Sequence, residues 1–422
     1  MRKTVAALTL VFLTNSSWGG DWPQFRGPAG SGVATDGTYP TEWGRNRNIV
    51  WSVKLENPGN GSPIVADGRI YIASASRDGR ERRLHSLDRH DGSTAWVRTV
   101  ECDEAERTHQ TNPYAAVTPA TDGQRIVVWH GSAGVFCYDM QGELLWSRDL
   151  GKFDHVWGYA SSPIIRDGKV FQLCGPGERQ FLVALNLENG EVLWEVNETG
   201  GSASEKGKYI GSWATPVWAT IDGRDQVICG LPTRVVSCDP NSGAVLWFVT
   251  GIESDRGDLM YTTPLISDQY GVALGGFGGP AIGFKLGGTG DMTSVNRLWC
   301  EVGKPRNPQR IGSGMIVGDV FYIANADNEG SIECREVTTG KQRWEVRRTS
   351  DGPHWGSLVL SGDHLYATGQ KGITRVFAVN PNQYIEIAVN DLGEQTHATP
   401  AFSDGQIFVR TWEGLYCIAA QP

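Results

Sequence analysis

An all-β chain closed into an eight-bladed β-propeller is what this sequence predicts, and three observations predict it. A hairpin phrase ending in tryptophan recurs along the chain, eight inner-strand starts share one pattern, and an outer strand near the N-terminus lacks partners that the C-terminus can supply. The phrase is clearest at 183–194. Val183, Leu185 and Leu187 alternate along an incoming strand, Asn189-Gly190 permits a tight turn, and Val192 and Trp194 carry the outgoing strand. It returns as Leu87-Asp88 through Gly92 to Trp96, as Cys137-Tyr138-Asp139 through Gly142 to Trp146, as Cys238-Asp239 through Gly243 to Trp247, and as Glu336 through Gly340 to Trp344. One hairpin and one tryptophan in every roughly 40 to 50 residues fits four-stranded antiparallel blades.

Inner strands begin near Ser62-Pro63, Thr118-Pro119, Ser162-Pro163, Thr215-Pro216, Thr263-Pro264, Ser313-Gly314, Gly356-Ser357 and Thr399-Pro400, which makes eight blades. Proline is tolerated at a strand's first residue because its missing N–H falls outside the ladder. The outer strands agree: they carry Trp96, Trp146, Trp194, Trp247, Trp299, Trp344, a degenerate segment at 384–387, and Trp51. The strand of Trp51 precedes every hairpin, while residues 398–418 supply three strands without a fourth. The N- and C-terminal strands are therefore expected to close the ring together, with 49–53 completing the last blade and removing an exposed edge. Blade five carries Gly287-Gly288-Thr289-Gly290-Asp291 before Trp299, and blade seven has no tryptophan, so packing between blades should be weaker at both.

The hairpin phrase approaches Ala-x-Asp-x-x-Thr-Gly-x-x-x-Trp, which resembles the tryptophan-docking repeat of PQQ-type (quinoprotein) propellers, the group that includes the outer-membrane assembly propeller BamB. The resemblance implies that each repeat tryptophan stacks on the motif of the next blade. The segment Trp22-Pro23-Gln24-Phe25-Arg26-Gly27-Pro28 is likewise similar to the opening of many exported PQQ-like propeller proteins.

Three segments follow: a signal peptide at 1–19, an N-terminal arm at 20–48, and the propeller at 49–422. Arg2 and Lys3, an apolar run at 5–13 and Ser17-Trp18-Gly19 have the order of a cleavable leader, and the run is too short to span a bilayer. A periplasmic or secreted protein without a transmembrane segment is expected, and no cysteine ends the run to carry a BamB-type lipid anchor. A net charge of −9 argues against a nucleic-acid partner. The eight cysteines form no Cys-x-x-Cys and no adjacent pair. Most fall in apolar strands as small hydrophobes, and Cys229 with Cys238 is the first pair to examine for a bridge.

No nucleophile elbow, zinc-protease, EF-hand or Walker motif is present. The loop Asn325-Ala326-Asp327-Asn328-Glu329-Gly330 lacks the spaced carboxylates of a calcium site, and no metal is expected there. The loops before the inner strands, which converge on one mouth of the channel, are more informative. They offer His109 and Tyr114; His155, Trp157 and Tyr159; Trp213; Tyr261; Arg310; His354 and Trp355; and His397. Such a funnel suits an apolar-faced ligand with acidic or hydroxyl groups, although polar aromatics also line wide loops with no ligand at all. Quinoprotein alcohol dehydrogenases resembling this chain carry an adjacent Cys-Cys, carboxylate-held calcium and a catalytic Asp. The Cys-Cys is absent here and the carboxylates cannot be placed. The expectation is therefore an exported monomer that binds or scaffolds a protein or polymer, with no catalytic residue and no cofactor. A PQQ-dependent dehydrogenase using calcium, and a saccharide-binding propeller with Trp157, Trp213 and Trp355 as platforms, are the alternatives.

Overall fold

Each hairpin phrase folds as the two outer strands of a four-stranded antiparallel sheet in the computed structural model, which describes residues 20–199, 209–304, 307–327, 330–348 and 350–420. The leader expected at 1–19 lies outside these, as do Asn328 and Glu329 of the oxygen-rich loop.

Eight blades form a ring. Blade one comprises Ile64–Ala66, Arg69–Ala75, Glu81–Asp88 and Thr94–Glu101. Blade two is Ala120–Thr121, Arg125–Trp129, Val135–Asp139 and Leu144–Arg148, and blade three is Ile164–Arg166, Lys169–Cys174, Arg179–Asn186 and Val192–Thr199. Blade four is Val217–Ile221, Arg224–Gly230, Arg234–Cys238 and Val245–Thr250. Blade five is Leu265–Ile266, Tyr270–Leu274, Ala281–Lys285 and Arg297–Glu301. Blade six is Met315–Val317, Val320–Ala324, Ser331–Glu336 and Gln342–Arg347, and blade seven is Val359–Ser361, His364–Thr368, Ile373–Ala378 and Glu386–Asp391. Ala401–Ser403, Gln406–Arg410 and Gly414–Ala419 form blade eight with Ile49–Lys54, whose Trp51 lies opposite Cys417. The closure expected from sequence is the one observed.

All eight outer strand pairs carry a register shift, beside the hairpin turn in blades one to seven, as between Ala184 and Leu185 in blade three. A bulge increases local twist and re-aims the following side chain, here the repeat tryptophan. Six indoles then donate to a backbone carbonyl of the following blade: Trp51 to Arg89, Trp96 to Met140, Trp146 to Leu187, Trp194 to Pro240, Trp299 to Val337 and Trp344 to Asn380, at 2.7–3.2 Å. The ring of each of the first five covers the turn glycine of that blade. A Cβ on Gly190 would lie 2.5 Å from the Trp146 ring, and its φ of +71° is one that side chains disfavour, so glycine is required on both counts. Apolar clusters fill the seams between consecutive blades.

Both seams expected to be weak are reinforced by other means. At the seam of blades four and five, Trp247 turns inward and donates to Gln226 of its own blade at 2.9 Å. The glycine-rich insertion lays Gly290–Asp291 as a parallel fifth strand beside Trp247 and Phe248. At the seam of blades seven and eight, the missing tryptophan is supplied by the arm. Trp43 stacks on Tyr366 with centroids 6.3 Å apart and planes 10° apart, and Asn390 clamps the arm, accepting from Trp43 N–H at 2.7 Å and donating to Thr41 O at 2.9 Å. Trp43→Ala is expected to cost about 3 kcal/mol, in the range of buried aromatic truncations, measured by urea unfolding. A loss no larger than that of an exposed arm residue would mean that the stack contributes nothing to the seam.

The arm also crosses the channel. Trp22 exchanges two backbone hydrogen bonds with Val65 of blade one, Pro23 O accepts from Thr121 N–H of blade two, and Val33–Ala34 pairs in parallel with the inner strand of blade seven. Between them Arg26, fully buried, donates to Gly314 O of blade six at 2.6 Å. The far end of the channel is thereby spanned, and Phe25 faces the funnel from below. The eight cysteines are unpaired, seven of them buried. The suggested bridge fails on register, because Cys238 lies opposite Val227 and Cys229 opposite Val236.

Candidate functional site

The Ser/Thr residue that opens each inner strand proves to be part of a closed belt. Ser62 N–H donates to Thr118 Oγ1, Thr118 to Ser162, Ser162 to Thr215, Thr215 to Thr263, Thr263 to Ser313, Ser313 to Ser357, Ser357 to Thr399, and Thr399 back to Ser62, at 2.9–3.3 Å. A strand beginning at the channel has a first N–H with no ladder partner, and the next blade's hydroxyl satisfies it. Eight such bonds run in one sense around the ring and fix the channel's radius.

Above the belt lies a cavity of about 350 Å³, lined by all eight belt hydroxyls, by Phe25 below, and by residues of the mouth loops. Of the eleven mouth residues expected from sequence, His109, Trp157, Trp213, Tyr261, Trp355 and His397 line it. The other five turn away. Tyr114 covers the Arg82 guanidinium, 4.2 Å from ring centroid to Cζ, and donates to Glu106 O. Tyr159 is buried against Trp129, accepts from Arg82 and donates to Tyr114 O. Arg310, expected as the funnel's fixed positive charge, is fully buried and paired with Glu301 at 3.3 Å. His354 is buried 3.7 Å from Asp351, whose carboxylate is gripped by Arg375 at 2.6 and 2.9 Å. His155 packs behind the wall against Trp213, with centroids 5.1 Å apart.

Two aromatic walls result. Trp157, Trp213, Tyr261 and Phe277 come from the blade three to five side, with Trp157 5.7 Å from Phe277 and Trp213 5.1 Å from Tyr261. On the opposite side of the ring Trp355 stacks on His397 at 4.3 Å and 11°, and Trp412 meets the imidazole edge-on at 5.1 Å. Phe25 and Phe277 carry no polar handle and were not expected from the sequence. Among the described residues, no Asp, Glu, Lys or Arg lines the cavity. Among the described residues no cluster of three or more His, Cys, Asp or Glu has metal-binding geometry.

Two titratable groups of the wall, His397 and Tyr261, are held neutral. His397 Nδ1 faces Thr111 O at 3.1 Å and must carry the proton, leaving Nε2 as a bare acceptor. Burial lowers its pKa from 6.5 to about 4, against a smaller opposing effect of that carbonyl. Burial raises the Tyr261 phenol well above its ordinary value. Desolvation likewise brings His85 and His155 to about 4 and His130 to about 3. The unfolded chain protonates these histidines near 6.5, while the folded chain resists until about 4. Between those values the unfolded state binds more protons, so stability is expected to fall as pH drops through that window. His397→Gln should reduce the slope of unfolding free energy against pH by close to one proton; an unchanged slope would place the His397 titration at its ordinary value.

A ring of eight four-stranded blades with tryptophan-ended hairpins is a PQQ-like β-propeller. Within that class the chain belongs to the family described as outer membrane protein assembly factor BamB, whose model matches residues 33–114 and 104–344. It is similar to BamB from Moraxella catarrhalis, at 18% identity over 88% of this chain and 97% of that one, with a TM-score of 0.60. It is also similar to a europium-containing methanol dehydrogenase (12% identity, 94% and 90% coverage, TM-score 0.68). A third is the quinohemoprotein alcohol dehydrogenase of Comamonas testosteroni (13% identity, 96% and 81% coverage, TM-score 0.64). At these identities the likeness shows the fold alone, and that fold is common to an assembly factor and to oxidoreductases. No curated protein matches the sequence. No helix among the described residues is long and apolar enough to cross a membrane.

Proposed function

We propose that this protein is an exported, non-catalytic binding propeller that docks a protein or polymer partner at its funnel or face. The observation that carries this reading is the chemistry of the funnel, which has aromatic walls and hydroxyls and, among the described residues, no lining carboxylate, lysine or arginine. A flat tricarboxylate such as PQQ requires cations or a metal to offset its charge, and calcium requires carboxylate or carbonyl ligands in number. The described residues of the funnel do not fit that cofactor. The signal-peptide pattern at 1–19 and the BamB family membership support export, and the indole-to-carbonyl bonds between blades support the tryptophan-docking reading of the repeat.

The test is titration of the purified protein with PQQ and calcium, followed by tryptophan fluorescence and by dye-linked alcohol oxidation. Neither quenching at micromolar cofactor nor turnover is expected. Saturable binding that Trp157→Ala abolishes would reinstate the dehydrogenase reading. Trp157 is the residue to change because His155, Arg310 and His354 lie off the cavity wall.

A further inference from the structure

The funnel's own groups narrow the ligand. We infer that the cavity is a slot for one uncharged sugar ring of a saccharide, held between the two aromatic walls with its hydroxyls turned to the belt; this rests on the non-catalytic binding reading above.

Three features lead there. The first is neutrality: with no Asp, Glu, Lys or Arg among the described lining residues and His397 and Tyr261 uncharged near pH 7, a charged group entering the cavity loses its hydration without a counter-charge from those residues. The second is the arrangement of the walls. Blade three stands opposite blade seven and blade four opposite blade eight in an eight-bladed ring, so Trp157 lies across the channel from Trp355 and Trp213 from His397. Aromatic faces on both sides suit a ring with apolar C–H faces and polar edges.

The belt is the third, and it separates a sugar from a purely apolar ring. Each belt hydroxyl accepts a backbone N–H, and none donates to another described residue, so eight O–H protons border the cavity available to an acceptor. An apolar ring would strip water from these donors and leave them unsatisfied. A sugar's ring and hydroxyl oxygens accept from them. Gln309, at the wall, offers both a donor and an acceptor to the polar edge. The arm makes the slot a dead end beneath Phe25, so a chain terminus would enter from the mouth and stop.

The experiment is a calorimetric and fluorescence titration of the full-length mature protein with maltose, cellobiose and N,N′-diacetylchitobiose. Glucuronic acid serves as the charged counterpart and N-acetyltryptophanamide as the neutral aromatic counterpart. At least one neutral disaccharide is expected to saturate, with glucuronic acid and N-acetyltryptophanamide silent. Trp157→Ala and Trp355→Ala should each weaken that binding by about tenfold or more, equivalent to about 1.4 kcal/mol, at unchanged melting temperature. Should Trp355→Ala unfold the protein, Trp355→Phe, which keeps an aromatic face, should retain binding while Trp355→Leu loses it. Saturation by N-acetyltryptophanamide in place of every sugar, silence of all three sugars, or sugar binding unaffected by either wall variant overturns the inference. Silence of the sugars with PQQ also silent removes the sugar slot alone, whereas PQQ binding removes the non-catalytic reading beneath it.

Discussion

A chain ending before Ala398 is expected to aggregate instead of accumulating as a folded monomer. Such a chain loses three strands of blade eight and leaves Ile49–Lys54 with every ladder partner gone. It also opens the belt, because Thr399 both accepts from Ser357 and donates to Ser62. The cluster that joins blades seven, eight and one to the arm loses Phe402, Phe408, Leu415 and Ile418, all fully buried. What remains has two free sheet edges and apolar faces on blades one and seven, the combination that templates edge-to-edge association. Size-exclusion chromatography with near-ultraviolet circular dichroism reads the result directly. A soluble monomer with the intact chain's aromatic signal would show that seven blades hold their shape unclosed, and closure would then have no part in stability.

The ring itself was legible because its determinants are local. A turn glycine, the strand alternation on either side and a tryptophan four residues on lie within one window, so Val183 to Trp194 announces a hairpin without knowledge of its neighbours. Closure was legible by subtraction, since Trp51 had no hairpin and the chain end had no fourth strand. The belt was not. The Ser/Thr-Pro step was visible, but its hydroxyl serves a backbone N–H some 42 to 56 residues away along the chain, apart from the bond that closes the ring, and no local pattern encodes that partner. Trp43 escaped for the same reason: only the assembled ring places it in the gap left by blade seven.

The mouth was half legible. Loop position placed the right segments at the funnel, but loops lack the period that fixes side-chain direction in strands. His155 and Tyr159 turn toward the packing behind the wall, and Arg310 and His354 toward Glu301 and Asp351. The charge that the sequence suggested for the funnel is thus consumed beneath it, and no described Asp, Glu, Lys or Arg takes its place on the cavity wall.

Trp194→Ala is expected to destabilise the protein by about 3–5 kcal/mol, a large share of a total stability of about 5–15. The indole is 8% exposed, lies 5.8 Å from the Phe171 ring, donates to Pro240 O of the next blade at 3.1 Å and rests on Gly243, where a Cβ would come within 2.7 Å of it. Truncation removes the ring contacts, empties the seam between blades three and four and leaves the Pro240 carbonyl without that donor. Trp194→Phe keeps the ring and loses the N–H, so it should recover most of the loss, short by about 1 kcal/mol for the hydrogen bond. Val295→Ala, at a side chain 70% exposed, is the control and should change stability by less than about 0.5 kcal/mol. Chemical unfolding of the three variants separates two sources of cohesion. If Trp194→Ala behaves like the exposed control, the indoles add nothing, and the blades are held by the belt and inner strands. If Trp194→Phe falls as far as Trp194→Ala, the carbonyl bond dominates the ring. The geometry of six indoles bonded across seams to the next blade favours the intermediate result, in which ring burial carries most of the stability and the hydrogen bond fixes the angle between neighbouring blades.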